Sequence, residues 1–328
     1  MALEVHFAQI GFNGSSILTR DQTVDKTFFK LLRGIRLSFS ITKLDHVDCE
    51  LNVERIGRFG VLNRMKELQK LFDRPTYVSH IILRFTGVAH VTTFWNIFFT
   101  LLNSITNTEC DRLHIQFPTF HSSESYRSRI GSRFRWNPTR TIKEITISIN
   151  NTFLESSLKW LVLSINSSPV QIIRFSSPGD METLPLFLSQ AELPHLTGLH
   201  ISSTVAAKDI FTFLVRHLKI KTLDVSCTMQ AVLLPQLRIR YRLRCLTKLA
   251  ASTDIICHIL STGQASKLHA VYIRPPYSPL GGRSLLKTLI ALSKCPSIHR
   301  LSLFIDKDQM ITCLRVANDR PTSRATYI

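Results

Sequence analysis

The stretch LPHLTGLHIS, Leu193 to Ser202, places Leu196, Leu199 and Ile201 in the spacing apolar-x-x-apolar-x-apolar, which we call an apolar triplet. Side chains of an extended chain alternate between two faces, so the last two members share one face and the residue between them, His200, takes the other. This spacing is typical of a short strand with one buried face. The two histidines of the stretch, His195 and His200, leave open a second interpretation, that of a small chemical site.

The same triplet recurs along most of the chain. Neighbouring copies are 22 to 46 residues apart, measured between their middle members. Those middle members are Ile35, Ile81, Leu113, Ile145, Ile173, Leu199, Leu223, Leu249, Val271 and Leu301. Periods of roughly 20 to 50 residues are typical of repeat proteins. The first and longest gap leaves room for a degenerate triplet around Leu44 to Leu51.

Segments with helical spacing of apolar residues lie between the triplets. They are 61–72, 93–105, 153–163, 181–188, 208–218, 254–260 and 284–292. The predicted repeating unit is therefore a strand, a crossover helix and a parallel strand. The most apolar window, 91–105, contains Thr and Asn and is shorter than the roughly 20 apolar residues of a membrane span, which favours a buried core helix.

Triplet stretches such as LTGLHI, IKTLDV and IHRLSL resemble the LxxLxL strand of leucine-rich-repeat proteins. The resemblance covers nearly the whole chain and implies an α/β solenoid, a horseshoe with a parallel sheet on its concave side and helices and loops on its convex side. We expect one irregular solenoid over residues 1–317, with an N-terminal cap or partial repeat at 1–31 and a C-terminal tail at 318–328. The Asn that ends the regular motif is present only at Asn150, so no asparagine ladder is expected.

A narrower resemblance is carried by ALEVHFAQIGFNGSSILTR near the start and by SKLHAVYI. These stretches resemble the repeat region of F-box-type leucine-rich-repeat proteins of mushroom-forming fungi. Residues 1 to 30 do not read as an F-box, so binding to a ligase adaptor is not carried over. The resemblance implies a protein-recognition scaffold, the substrate-receptor part of an F-box-type ubiquitin ligase without its F-box.

The chain is strongly basic, with 41 Lys and Arg against 23 Asp and Glu and a formal net charge of +18. Such an excess attracts acidic proteins or nucleic acid. Part of it lies in a predicted insertion loop at 119–140, where SYRSRIGSRFRWNPTR interleaves arginines with aromatic residues. A second run, LRIRYRLRC at 237–245, alternates arginine with apolar residues along an extended segment. The arginines concerned are Arg127, Arg129, Arg133, Arg135, Arg238, Arg240, Arg242 and Arg244.

Both basic runs admit more than one partner. Arginine interleaved with aromatic side chains suits nucleic-acid bases and phosphates, a protein surface, or no partner at all. Nucleic-acid binding through segments 125–140 and 237–245 is therefore the alternative function to protein recognition.

If the triplets face the core, the residue between their last two members lies on the open side of the sheet. From this column we predict a face that binds a protein target, expected to be acidic. The predicted partner-binding residues are Arg36, His114, Arg174, His200, Asp224 and Tyr272.

Two sets of residues raise the possibility of chemistry. Adjacent strands would bring His200 and Asp224 within about 5 Å, with Ser202 and Ser226 nearby, but a catalytic triad also needs an oxyanion hole and a pocket. An exposed His and Asp pair is the favoured interpretation. Cys257 lies on the apolar pattern of its helix beside His258, which favours a buried structural thiol.

The sequence therefore predicts a protein that is not an enzyme. We assign no catalytic, cofactor-binding or metal-binding residue. The seven cysteines include no CxxC pair and no signal peptide is apparent, so we expect reduced thiols in an intracellular monomer, cytoplasmic or nuclear, with no membrane partner.

Overall fold

The computed structural model describes residues 35–40, 43–52, 57–73, 77–87, 92–106, 108–117, 141–149, 155–180, 183–226, 243–262, 265–274 and 281–303. Contacts within the chain divide it into two units, residues 1–195 and residues 196–328. The predicted cap at 1–31, the insertion loop at 119–140 and the tail at 318–328 all lie outside the described residues.

Six strands of the first unit lie side by side in chain order. They are β1 (Ile35–Ser40), β2 (Lys43–Asn52), β3 (Tyr77–Thr86), β4 (Glu109–Phe117), β5 (Glu144–Ile149) and β6 (Ile172–Asp180). The strands from β2 to β6 are parallel to their neighbours. The described helices of this unit are α1 (Gly57–Phe72), α2 (Thr92–Ile105), α3 (Glu155–Asn166) and α4 (Thr183–Gln190).

The second unit repeats the arrangement with five parallel strands. They are β7 (Gly198–Thr204), β8 (Thr222–Val225), β9 (Lys248–Ser252), β10 (Ala270–Arg274) and β11 (Arg300–Leu303). Its described helices are α5 (Ala207–Arg216), α6 (Thr253–Thr262) and α7 (Gly281–Ser293). The predicted α/β class and parallel strands are thus confirmed, and each segment predicted to be helical overlaps one of the helices.

The first triplet differs from the prediction, because β1 is antiparallel to β2. Ser40 pairs with Lys43, so only residues 41 and 42 connect the two strands. A connection of two residues can join antiparallel strands only, since parallel neighbours need a crossover. The parallel series begins at β2, which occupies the place of the degenerate triplet expected around Leu44 to Leu51.

Triplet side chains form the core of both units. Every member of the eight triplets from Val78 to Ile273 is at most 3% exposed. In β2, Val47 and Cys49 are buried in the same way. Leu301, in the last described strand, is 45% exposed. Burial of the apolar members on one face therefore holds through the series and weakens at its end.

Backbone hydrogen bonds align the starts of several neighbouring strands. The carbonyl of Lys143 accepts the amide hydrogens of both Gln171 and Ile172, at N···O distances of 2.7 and 3.1 Å. The same double acceptance occurs two residues before the middle member of other triplets. The carbonyls concerned are those of Thr197, Lys221, Thr247 and His269. Successive strands therefore begin at equivalent positions, and side chains with the same place in the repeat are neighbours.

Helix α2 carries an aromatic cluster that packs against strands β3 and β4. The Phe98 ring is fully buried, with its centroid 5.0 Å from that of Phe85 and 5.7 Å from that of Phe117. Phe94 and Trp95 complete the packing around it at 6.0 and 5.5 Å. None of the described helices has the length and apolar character needed to cross a lipid bilayer.

Truncation at the centre of this cluster should be costly. We expect Phe98→Ala to lower the free energy of unfolding by about 3 to 5 kcal/mol, because it removes buried aromatic surface and leaves a cavity. Urea denaturation followed by circular dichroism measures the change. The matched control is Asn96→Ala on the exposed side of the same helix, which should shift the free energy by no more than about 0.5 kcal/mol. Equal losses in the two variants would contradict the assigned core.

Candidate functional site on the open face of the strands

The register of the strands places the predicted column within each unit. In the first unit Ile82 pairs with His114, His114 with Thr146, and Thr146 with Arg174. In the second unit His200 pairs with Asp224, Asp224 with Ala250, and Ala250 with Tyr272. The polar and aromatic side chains of these columns are half-buried, whereas the triplet side chains are fully buried. We call this side of each unit its open face.

The beginning of the column is different from the prediction. Arg36 lies on the antiparallel strand β1, opposite Asp48, and its side chain is outside the described residues. In the parallel series the position next to Ile82 is held by Asp48. Sequence reasoning missed Asp48 because β2 was recognised only as a possible degenerate repeat.

Ion pairs connect neighbouring strands of the first unit, two of them diagonally and one, between Arg112 and Glu144, at the same register position. Arg84 Nη1 lies 2.6 Å from Asp48 Oδ1, and the two side chains are 33% and 17% exposed. Glu144 pairs with Arg174 on the next strand, and its Oε2 lies 3.6 Å from Arg112 Nε on the preceding strand. Of these five residues, the sequence singled out Arg174 alone. Asp48 lies in the predicted column, and Arg84, Arg112 and Glu144 lie in the columns beside it, where the signal was opposite charge at neighbouring register positions.

Three histidines share this open face. His46 pairs in register with His80, and their ring centroids are 5.0 Å apart in an edge-to-face arrangement. Burial lowers the pKa of His80, and the neighbouring His46, Arg112 and His114 lower it further. Burial also lowers the pKa of His114, with Arg84 adding to the effect and Asp48 opposing it. The folded protein therefore favours the neutral form of His80 and His114.

These lowered pKa values predict a loss of stability in acid. Unfolded histidines take up protons near pH 6.5, whereas folded His80 and His114 do so only at lower pH. Their contribution to stability is thus complete above pH 6.5 and decreases as the pH falls below it, because the unfolded state then binds more protons. We expect the double variant His80→Gln and His114→Gln to show a smaller decrease in urea midpoint between pH 7.5 and pH 5.5 than the unaltered chain.

Burial lowers the pKa of His258 as well, so part of the acid sensitivity should survive in that variant. The matched control replaces the exposed His195 and His269 by Gln and should retain the full decrease. If the decrease were the same in both double variants, the role of His80 and His114 in acid sensitivity would be disproved.

Asp224 is the centre of the open face of the second unit. Arg274 Nη2 lies 2.8 Å from Asp224 Oδ2, although their strands β10 and β8 are separated by β9. The residue of β9 in register with Asp224 is Ala250, whose methyl group leaves space for the arginine to cross. His200 Nδ1 lies 3.6 Å from the same carboxylate oxygen. The predicted approach of His200 and Asp224 is confirmed, with Arg274 as the nearer partner.

Neighbouring groups are engaged in other contacts. Ser226 Oγ donates to the carbonyl oxygen of Ile201 at 3.5 Å, and its backbone amide donates to the same carbonyl at 2.8 Å. The guanidinium of Arg300 lies 5.5 Å from the ring centroid of Tyr272, a cation–π contact. The geometry of this region is that of a polar surface with fixed side chains.

A double-mutant cycle tests the contact across β9. We expect Asp224→Ala and Arg274→Ala to be coupled by about 0.5 to 1 kcal/mol in the free energy of unfolding, the usual size for a partly exposed ion pair. The matched cycle uses Arg300→Ala with Asp224→Ala and should give a coupling near zero, since Arg300 lies against Tyr272. Urea unfolding of the single and double variants supplies both values. Equal couplings in the two cycles would argue against a specific Arg274 and Asp224 contact.

Cys257 and His258 are placed differently from the prediction. Cys257 is half-buried, with its Sγ 3.1 Å from Thr288 Oγ1 of α7, whereas His258 is buried, with its ring centroid 4.7 Å from that of Phe211. The buried stripe of α6 contains Ile255, Ile256 and Ile259, which rotates Cys257 to the edge of the stripe. His195 is exposed, as expected.

Other sequence-predicted features are only partly within the described residues. The arginines of 125–140 and Arg238, Arg240 and Arg242 lie outside them. At the end of the second run Leu243 is buried and Arg244 exposed, which agrees with the predicted alternation at these two positions. Within the ranges that the structure describes, no group of three or more His, Cys, Asp or Glu side chains is arranged to hold a metal ion.

The chain matches none of the models of known protein families, and a search of curated proteins likewise gave no match. The geometry of the open faces is therefore the basis of the functional proposal.

Proposed function

We propose that the chain is a non-enzymatic protein-recognition scaffold of the irregular leucine-rich-repeat kind, and that the open faces of its strands bind a protein target. The observation that supports this most is the alignment of charged and aromatic side chains in columns on these faces. We select one residue from each unit to test this proposal. Arg174 of the first unit forms an ion pair with Glu144, and Tyr272 of the second unit lies against Arg300. Stacked strands and helices that expose an extended surface are commonly used for protein binding.

The internal contacts of these side chains favour recognition over solvation alone. A side chain already held by an ion pair or a stacked neighbour loses less conformational entropy when a partner binds. Arginine and tyrosine are also enriched among residues that dominate binding free energy at protein interfaces. The F-box-type resemblance of the repeats extends the proposal to the target-reading part of a ubiquitin ligase, acting in the cytoplasm or nucleus.

Mass spectrometry of proteins that co-purify with the tagged chain tests the proposal. We expect at least one discrete protein partner that survives nuclease treatment and is reduced at least about tenfold by Arg174→Ala combined with Tyr272→Ala, because several interface side chains each cost more than about 1 kcal/mol when truncated. The matched control replaces two exposed helical lysines, Lys159 and Lys208, by Ala and should retain the partner. Ligase subunits among the partners would support the narrower resemblance.

The same experiment distinguishes protein recognition from the alternative function, nucleic-acid binding. Loss of every partner on nuclease treatment would count against protein recognition and favour nucleic-acid binding. In that case binding should weaken steeply with salt, because phosphate contacts release counterions. Replacement of arginines in the two basic runs by Ala should then abolish it. The substitutions are at Arg127, Arg129, Arg238 and Arg240.

A further inference from the structure

The open face of the first unit carries a cluster that the recognition proposal leaves unexplained. His46, His80 and His114 lie on three consecutive strands, β2, β3 and β4. His46 is beside His80 in register, and His114 is beside Ile82, the residue two positions after His80 on the same face. All three side chains are half-buried. We call these three residues the histidine patch.

Charged groups surround the histidine patch on every neighbouring strand. Strand β2 contributes Asp48 and Glu50, β3 contributes Arg84, β4 contributes Arg112, β5 contributes Glu144, and Arg36 of β1 stands opposite Asp48 in register. The Asp48 carboxylate is paired with Arg84, and the Glu144 carboxylate with Arg112 and Arg174. The carboxylates of Asp48 and Glu144 are therefore already engaged in ion pairs with arginines.

Protonation of His80 and His114 would add positive charge to the patch. Histidine is the side chain that ordinarily gains charge between pH 8 and pH 5. Each proton taken up adds a positive charge beside Arg84 or Arg112. Burial and these neighbours oppose protonation of His80 and His114 in the free protein. A carboxylate brought by a partner would remove that opposition, because opposite charges at short distance favour the charged form.

We propose that the histidine patch binds an extended acidic segment of the protein target, whose carboxylates lie over His46, His80 and His114, and that this binding strengthens as the pH falls below neutrality. The inference rests on the proposed function, since it assigns a partner chemistry to the same open face. Proton uptake and peptide binding are then reciprocal, so each promotes the other.

A direct binding measurement tests this with a defined probe. The probe is a fluorescein-labelled peptide of alternating Glu and Ser, measured by anisotropy at pH 7.5 and pH 6.0 at constant ionic strength. We expect the affinity to be about tenfold higher at pH 6.0, which corresponds to an average uptake of about 0.7 proton on binding over this pH range. The same peptide with Gln in place of Glu should bind no more tightly at pH 6.0 than at pH 7.5.

Variants locate the effect on the patch. The triple variant His46→Gln, His80→Gln and His114→Gln should lose the pH dependence. The matched triple variant replaces the exposed histidines His195, His269 and His299 by Gln and should keep it. Circular dichroism at both pH values establishes that the variants are folded. If the patch variant does not fold, NMR titration of the unaltered chain replaces it, and the peptide should raise the pKa of His80 and His114.

The outcomes separate this inference from the proposed function. Peptide binding that is equal at both pH values, pH dependence that survives in the patch variant, or unchanged histidine titration would overturn the inference. Absence of peptide binding at either pH would overturn it as well, while the co-purification result with Arg174 and Tyr272 decides recognition independently. A single-stranded oligonucleotide of equal charge that displaced the peptide and bound more tightly, with the same dependence on the patch, would reassign the patch to nucleic acid.

Discussion

Alignment of neighbouring strands is the constraint on which the open faces depend, and at five junctions among the described residues a carbonyl group that accepts two amide hydrogens from the following repeat contributes to it. The carbonyl of Lys221, for example, accepts from Thr247 and Lys248 at 2.8 and 3.0 Å, and the carbonyl of Thr247 then accepts from His269 and Ala270. At these junctions each strand therefore begins at the same place in its repeat as its neighbour. Because side chains alternate along a strand, this alignment places three apolar side chains per repeat in the core and the intervening ones on the open face.

Alignment also explains how the two units pair their charges differently. In the first unit Asp48 and Glu144 each meet an arginine on an adjacent strand. In the second unit Arg274 reaches Asp224 over an intervening strand because Ala250 is too small to obstruct it. A bulky residue at that position would occupy the path of the guanidinium. The pairing of charges on these faces is therefore determined by the small residues as much as by the charged ones.

Much of this fold could be predicted from the sequence because it depends on the burial of apolar side chains. The triplets and the apolar stripes of the helices are local patterns, so β3 to β10 and the core helices could be predicted without knowledge of the partners of each strand. The antiparallel β1 could not, because its direction depends on the short link after Ser40 and its triplet resembles the others. On the open face, Arg174 was predicted from its column. Asp48, Arg84 and Glu144 were missed, because diagonal pairs become visible only when the register is known.

The paired charges of the open faces have a consequence for the kind of partner they accept. A partner that offers a single charge must compete with an existing ion pair and gains little from displacing it. A partner that adds charge beside His80 and His114, whose neutral forms the fold favours, does not have to displace one of these ion pairs. Complementary charge also excludes partners of the wrong sign more strongly than it raises affinity for the right one. The arrangement of Asp48, Arg84 and the neighbouring histidines therefore favours selectivity, and the pH at which the partner is met becomes part of that selectivity.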